Sequence, residues 1–139
     1  MRKGIFLVLM LGLLSFQPAP KKARITLDIR GISKSEGKVY IAAYRRTDAF
    51  PSMEGRFKSW IIDARSNSTE AVMEIPADTY SIAVFHDLNN NGKMDKNLFG
   101  VPTEIYGFSN NARSTFSAPK FEAAAFELKH ERKLVIYLK

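Results

Sequence analysis

The residues best placed to do chemistry lie in one stretch, HDLNNNGKMDKN, from His86 to Asn97. Counted from Asp87, oxygen-bearing side chains fall at positions one (Asp87), three (Asn89), five (Asn91) and nine (Asp95), with Gly92 at six. This is the D-x-[DN]-x-[DN]-G opening of a calcium loop. A chain winding round a hard cation offers oxygens from alternate residues, then turns at a glycine free to take positive φ. Position seven lends a backbone carbonyl, so Lys93 joins the set through its main chain while its side chain points to water. Asp87, Asn89, Asn91, Lys93 and Asp95 are the expected ligands of a structural calcium ion. Glu104 is a further carboxylate if the GVPTE segment folds back. Two carboxylates and two amides imply a weak to moderate site, with Kd roughly 10⁻⁴ to 10⁻³ M as in extracellular modules.

Two features separate this loop from an EF-hand. Position twelve, where an EF-hand has a bidentate Glu, is Leu98, and the preceding TYSIAVFH reads as a strand rather than a helix. The competing reading is a metal-free turn, since Asn and Asp bond their own backbone and tolerate left-handed geometry. A second class of function, a small metal-assisted hydrolase, would use His86 and Asp87. Against it, neighbours on a strand point to opposite faces, and the chain has no G-x-S-x-G elbow. YGFSNN, Tyr106 to Asn111, is the other stretch of interest. With His86, the residues Tyr106, Phe108 and Asn110 mark a candidate ligand cleft for a sugar or peptide. The alternative is that the two aromatics plug the end of the fold and the Asn residues cap turns.

These stretches need a scaffold, and the apolar pattern supplies one. Ile25, Leu27 and Ile29 alternate with Thr26, Asp28 and Arg30, as in a strand with one face buried. Val39, Ile41 and Ala43 repeat the pattern. Ser68–Ile75, Thr79–His86, Phe121–Leu128 and Lys133–Lys139 extend it, with further strands near Phe57–Ala64 and Glu104–Tyr106. Taken in chain order, the strands pair as three hairpins, across ISKSEG, PAD and KHER. FEAAAFEL is also helical on propensity, and the β-branched LVIYL that follows favours a strand there. The result is an all-β fold, an antiparallel β-sandwich of about seven strands, prealbumin- or immunoglobulin-like.

The N-terminus has the layout of an export signal: a basic head (Arg2, Lys3), an apolar core (Ile5 to Leu14) and small residues near Ala19. That core is shorter than the about 20 apolar residues of a membrane span. Residues 1–20 are read as a signal segment and 21–139 as a single domain with no transmembrane span. Cleavage is expected between Phe16 and Ala23, with an uncleaved anchor as the alternative. The chain has no cysteine, so it folds without disulfides. The net charge of +7 is scattered, with no Lys/Arg run of the kind that grips nucleic acid.

The run YSIAVFHDLNNNGKMDKNLFGVPTEIYGFSNNA resembles the bacterial family called domain of unknown function 2141. The likeness rests on a strand ending in aromatic-His-Asp (Phe85–His86–Asp87). N-x-N-G-x-x-D follows at Asn89 to Asp95, then G-x-P-x-E-x-Y-G-F-S-N-N at Gly100 to Asn111. One departure is Asp78–Thr79 before Tyr80, where the family usually has glycine. The resemblance implies a small exported β-sandwich and no activity. The expectation is thus a non-catalytic protein of the periplasm or cell exterior, whose partner is an envelope protein, peptide or glycan.

Overall fold

The computed structural model describes residues 18–139. The basic head, the apolar core and most of the expected signal segment lie outside the described residues. Among the described residues, eight strands form two facing sheets: β1 (Lys22–Ile32), β2 (Lys38–Tyr44), β3 (Lys58–Asp63), β4 (Asn67–Pro76), β5 (Asp78–Asp87), β6 (Tyr106–Phe108), β7 (Phe126–Leu128) and β8 (Glu131–Tyr137). One sheet has the order β4-β1-β8; the other has the order β3-β2-β5-β6, with β7 also pairing β5.

The alternation seen in the sequence sets the inner faces. Ile25, Leu27 and Ile29 of β1 are fully buried, and their partners on β4 are Met73, Ala71 and Thr69, which are buried too. From the other sheet, Val39, Ile41 and Ala43 of β2 and Tyr80, Ile82 and Val84 of β5 complete one core. Cross-strand neighbours on the buried face are the unit of sheet stability, and here both sheets direct them into a shared interior.

The pairing differs from the three hairpins read in chain order. β1 pairs β4 and β8, while β2 pairs β3 and β5. β4 and β5, joined across Ala77, belong to different sheets. β7 pairs β5, whereas β8 runs beside β1, and that last pairing is parallel. The sandwich is therefore antiparallel except at β1–β8. Alternation states which face of a strand is buried but not which strand lies beside it, and all three expected hairpin links instead carry the chain from one sheet to the other. The strand expected from Phe121 starts only at Phe126; Phe121–Ala124 forms a single helical turn, α1. Local helix propensity of FEAA prevails there.

Candidate functional site

β5 delivers the loop. Tyr80, Ile82 and Val84 face the core, so Ser81, Ala83, Phe85 and Asp87 face the other way. His86 falls on the inner side, 3% exposed, with Nε2 2.6 Å from the carbonyl oxygen of Glu36. Its backbone N–H donates to the Ile105 carbonyl. His86 and Asp87 are thus adjacent in sequence and separated by the sheet. Gly37 shows how closely the chain packs at this end. It has φ +79°, and a Cβ there would collide with the Asp87 carbonyl oxygen.

Beyond Asp87 the loop is built by its own polar side chains. The Asp87 carboxylate, fully buried, accepts from the N–H groups of Asn91 (3.2 Å) and Gly92 (2.8 Å). Asn89 Oδ1 accepts from Asn91 N–H at 3.1 Å and Asn91 Oδ1 from Lys93 N–H at 2.9 Å, two successive Asx turns. Asn90 and Gly92 take positive φ, 59° and 74°. The two amide groups then reach across the loop. Asn89 Nδ2 donates to Asp95 Oδ2 at 2.6 Å and Asn91 Nδ2 to Asp95 Oδ1 at 2.7 Å.

Glu104 does fold back. It accepts from Leu88 N–H through Oε1 (3.1 Å) and from Asp95 N–H through Oε2 (3.2 Å), tying the start of the loop to its end. Lys93 is exposed. So Asp87, Asn89, Asn91, Asp95 and Glu104 come together in one hydrogen-bonded knot.

These donors suit calcium in kind: hard oxygens from carboxylates, amides and a main-chain carbonyl. Their present arrangement is also complete without an ion. Among the described residues no group of three or more His, Cys, Asp or Glu forms a ligand cluster. The faces that Asn89 and Asn91 turn to Asp95 are N–H rather than oxygen. An ion would enter by replacing those two bonds, with each Asn oxygen using the lone pair its Asx turn leaves free.

The expected cleft is assembled only in part. Tyr106 and Phe108 pair with Phe85 and Ala83 on the outer face of the larger sheet. They line a groove of about 810 Å³ walled by residues from 94–102 and 114–118. Tyr40 stacks on Phe85, ring centres 4.9 Å apart, and its hydroxyl lies close to Gly92. His86 faces away from this groove, and the side chain of Asn110 donates to the carbonyls of Ala123 and Ala125. Asn110 and Asn111 both have positive φ, so they hold a turn. Ser109, buried, bonds Ile82 N–H and the Ala124 carbonyl and locks that turn to β5 and α1. Sequence reasoning missed the groove walls, Met94 to Val101 and Phe116. Their one signal is the density of apolar residues inside otherwise polar loops.

Fold and loop together define a two-sheet β-sandwich carrying an Asx-rich knot at a strand end. Residues 27–135 match the family DUF2141, described as an uncharacterized protein conserved in bacteria, and the chain belongs to that family. No curated protein and no solved structure matches the chain.

Proposed function

We propose that the protein is an exported, non-catalytic binding module of the bacterial cell envelope whose Asp87–Asp95 loop binds calcium for structure. The observation that carries the metal reading is the convergence of Asp87, Asn89, Asn91, Asp95 and Glu104 on one loop. The spacing of the first four is that of a cation-wrapping chain. The non-catalytic reading is supported by the engagement of both hydrolase candidates: His86 Nε2 with the Glu36 carbonyl, and both Asp87 oxygens with backbone N–H groups. Export is supported by the basic head and short apolar core of the N-terminus. Among the described residues no helix is long and apolar enough to cross a membrane.

Titration calorimetry on chelator-stripped protein tests the metal reading. Calcium should bind at one site, and Asp95→Ala should remove the heat. A wild-type protein that takes up no calcium favours the second reading, a self-sufficient turn, for which the Asn89 and Asn91 bonds to Asp95 already speak. N-terminal sequencing of envelope or secreted material tests export. The mature chain should begin between Gln17 and Arg24, and intact Met1 in a membrane-bound form would argue for an anchor instead.

A further inference from the structure

We propose that the groove on the outer face of the larger sheet binds an anionic amphiphile, an alkyl chain ending in a carboxylate. This rests on the binding-module reading and names its ligand class. The groove holds about 810 Å³, within the range of roughly 300–1,000 Å³ typical of small-molecule sites. Its floor is apolar and recessed, with Phe85 and Phe108 only 4% and 5% exposed. Two aromatic rings stand free on its walls, Phe99 at 90% and Phe116 at 99% exposure. Large apolar side chains so fully hydrated, gathered round one recess, mark a surface that binds something apolar.

Charge selects the head group. Among the described residues, Lys96 is the one charged residue lining the groove, and no carboxylate lines it. Lys96 is in no ion pair and in no side-chain hydrogen bond among those residues, so its ammonium is free to meet an anion. Arg113, which precedes the wall bearing Phe116, is already engaged with the carbonyls of Tyr106 and Tyr137. Ser114 and Ser117 lie on that same wall, but Ser117 donates its hydroxyl to the Ala118 carbonyl and the two hydroxyls face each other at 3.4 Å, so Lys96 is left to select the head group. A single chain reaches the recessed floor, which a flat bilayer or protein face does not.

The test is calorimetric titration of the protein in calcium-free buffer, since calcium precipitates the carboxylate, with dodecanoate below its micelle concentration, beside dodecyltrimethylammonium. Dodecanoate should bind one to one, and the cationic analogue at least about tenfold more weakly, since it places like charge beside Lys96. Lys96→Glu should weaken dodecanoate at least about tenfold for the same reason. Phe99→Ser combined with Phe116→Ser should do likewise by removing apolar contact. The side chains changed are solvent-exposed, and unchanged melting of the variants confirms folding. Absence of dodecanoate binding, or equal affinity in wild type and double variant, overturns the proposal. So does binding to anionic vesicles without one-to-one saturation by dodecanoate, which assigns the face to a bilayer. Intact calcium uptake with no dodecanoate binding sinks the groove alone, whereas dodecanoate binding without calcium uptake removes only the metal loop.

Discussion

The connection between β5 and β6 has two halves that use their side chains in opposite ways. From Asp87 to Asp95 the acidic and amide side chains at positions one, three, five and nine turn inward to bond N–H groups of the same loop. From Lys96 onward apolar side chains turn out, with Leu98 102%, Phe99 90% and Val101 54% exposed. Yet the second half is not loose. Asn97 Oδ1 accepts from both Phe99 N–H (2.9 Å) and Val101 N–H (3.1 Å), and Thr103 N–H donates to the Asp95 carbonyl. One half fixes the chain; the other presents apolar groups from a fixed chain. Loops positioned on a rigid scaffold are where proteins place recognition.

The largest effect is expected at Asp87. Asp87→Ala should cost about 3 kcal/mol in calcium-free urea denaturation, because it removes two hydrogen bonds to a buried carboxylate and leaves Gly92 N–H without its acceptor, while Asn91 N–H keeps Asn89 Oδ1. A loss under about 0.5 kcal/mol, the level of an ordinary surface change, would mean that the knot does not order the loop.

A pH effect is expected on the third side of the groove. Tyr44 is fully buried and donates to the Pro51 carbonyl at 3.0 Å, holding the Pro51–Met53 wall. Burial pushes its phenol up to about 12 from the ordinary 10.0. The folded state thus favours the neutral phenol. That contribution is full below pH 10 and is lost as pH rises towards about 12, on the order of 2 kcal/mol. Tyr44→Phe should lack this part of the alkaline loss in pH-dependent melting; identical alkaline slopes for both proteins would count against it.

Asn97→Ala should cost about 1 kcal/mol, the usual value of a lost side-chain bond to the backbone. Its clearer signature is faster hydrogen exchange at Phe99 and Val101, and unchanged exchange there would deny Asn97 its role. The smallest effect belongs to the exposed half. Leu98→Ser and Phe99→Ser should each stay within about 0.5 kcal/mol of wild type in thermal melting. A larger loss would show that these side chains support the fold.

The sequence carried some of this plainly and hid the rest for identifiable reasons. Period-two alternation placed Ile25, Leu27, Ile29, Val39 and Ile41 in the core, where they are. It is silent on lateral neighbours, so β4 and β5 read as a hairpin although Pro76–Asp78 carries the chain from one sheet to the other. The parallel contact of β8 with β1 joins the two ends of the domain, and no local signal encodes it. In the loop, spacing identified Asp87, Asn89, Asn91 and Asp95, because Asx turns are local. Glu104 was legible only as a carboxylate nearby in sequence; that it bonds Leu88 and Asp95 N–H groups depends on how residues 96–103 fold back. The groove was half legible. Tyr106 and Phe108 stand out as aromatics among polar residues, whereas Phe99 and Phe116 come to one groove through tertiary structure alone.

Thermal melting with calcium against chelator decides whether the Asp87–Asp95 knot is the calcium site proposed above. At free calcium of about 100 times Kd, linkage stabilises the fold by about 2.7 kcal/mol, which raises the melting temperature by at least about 5 °C. Chelator should reverse the rise. Asp95→Ala should abolish it, while Lys93→Ala and Asn90→Gly should retain it, since the first leaves the position-seven carbonyl in place and the second keeps positive φ available. Coincident wild-type melting curves with calcium and with chelator would leave the loop as a metal-free turn.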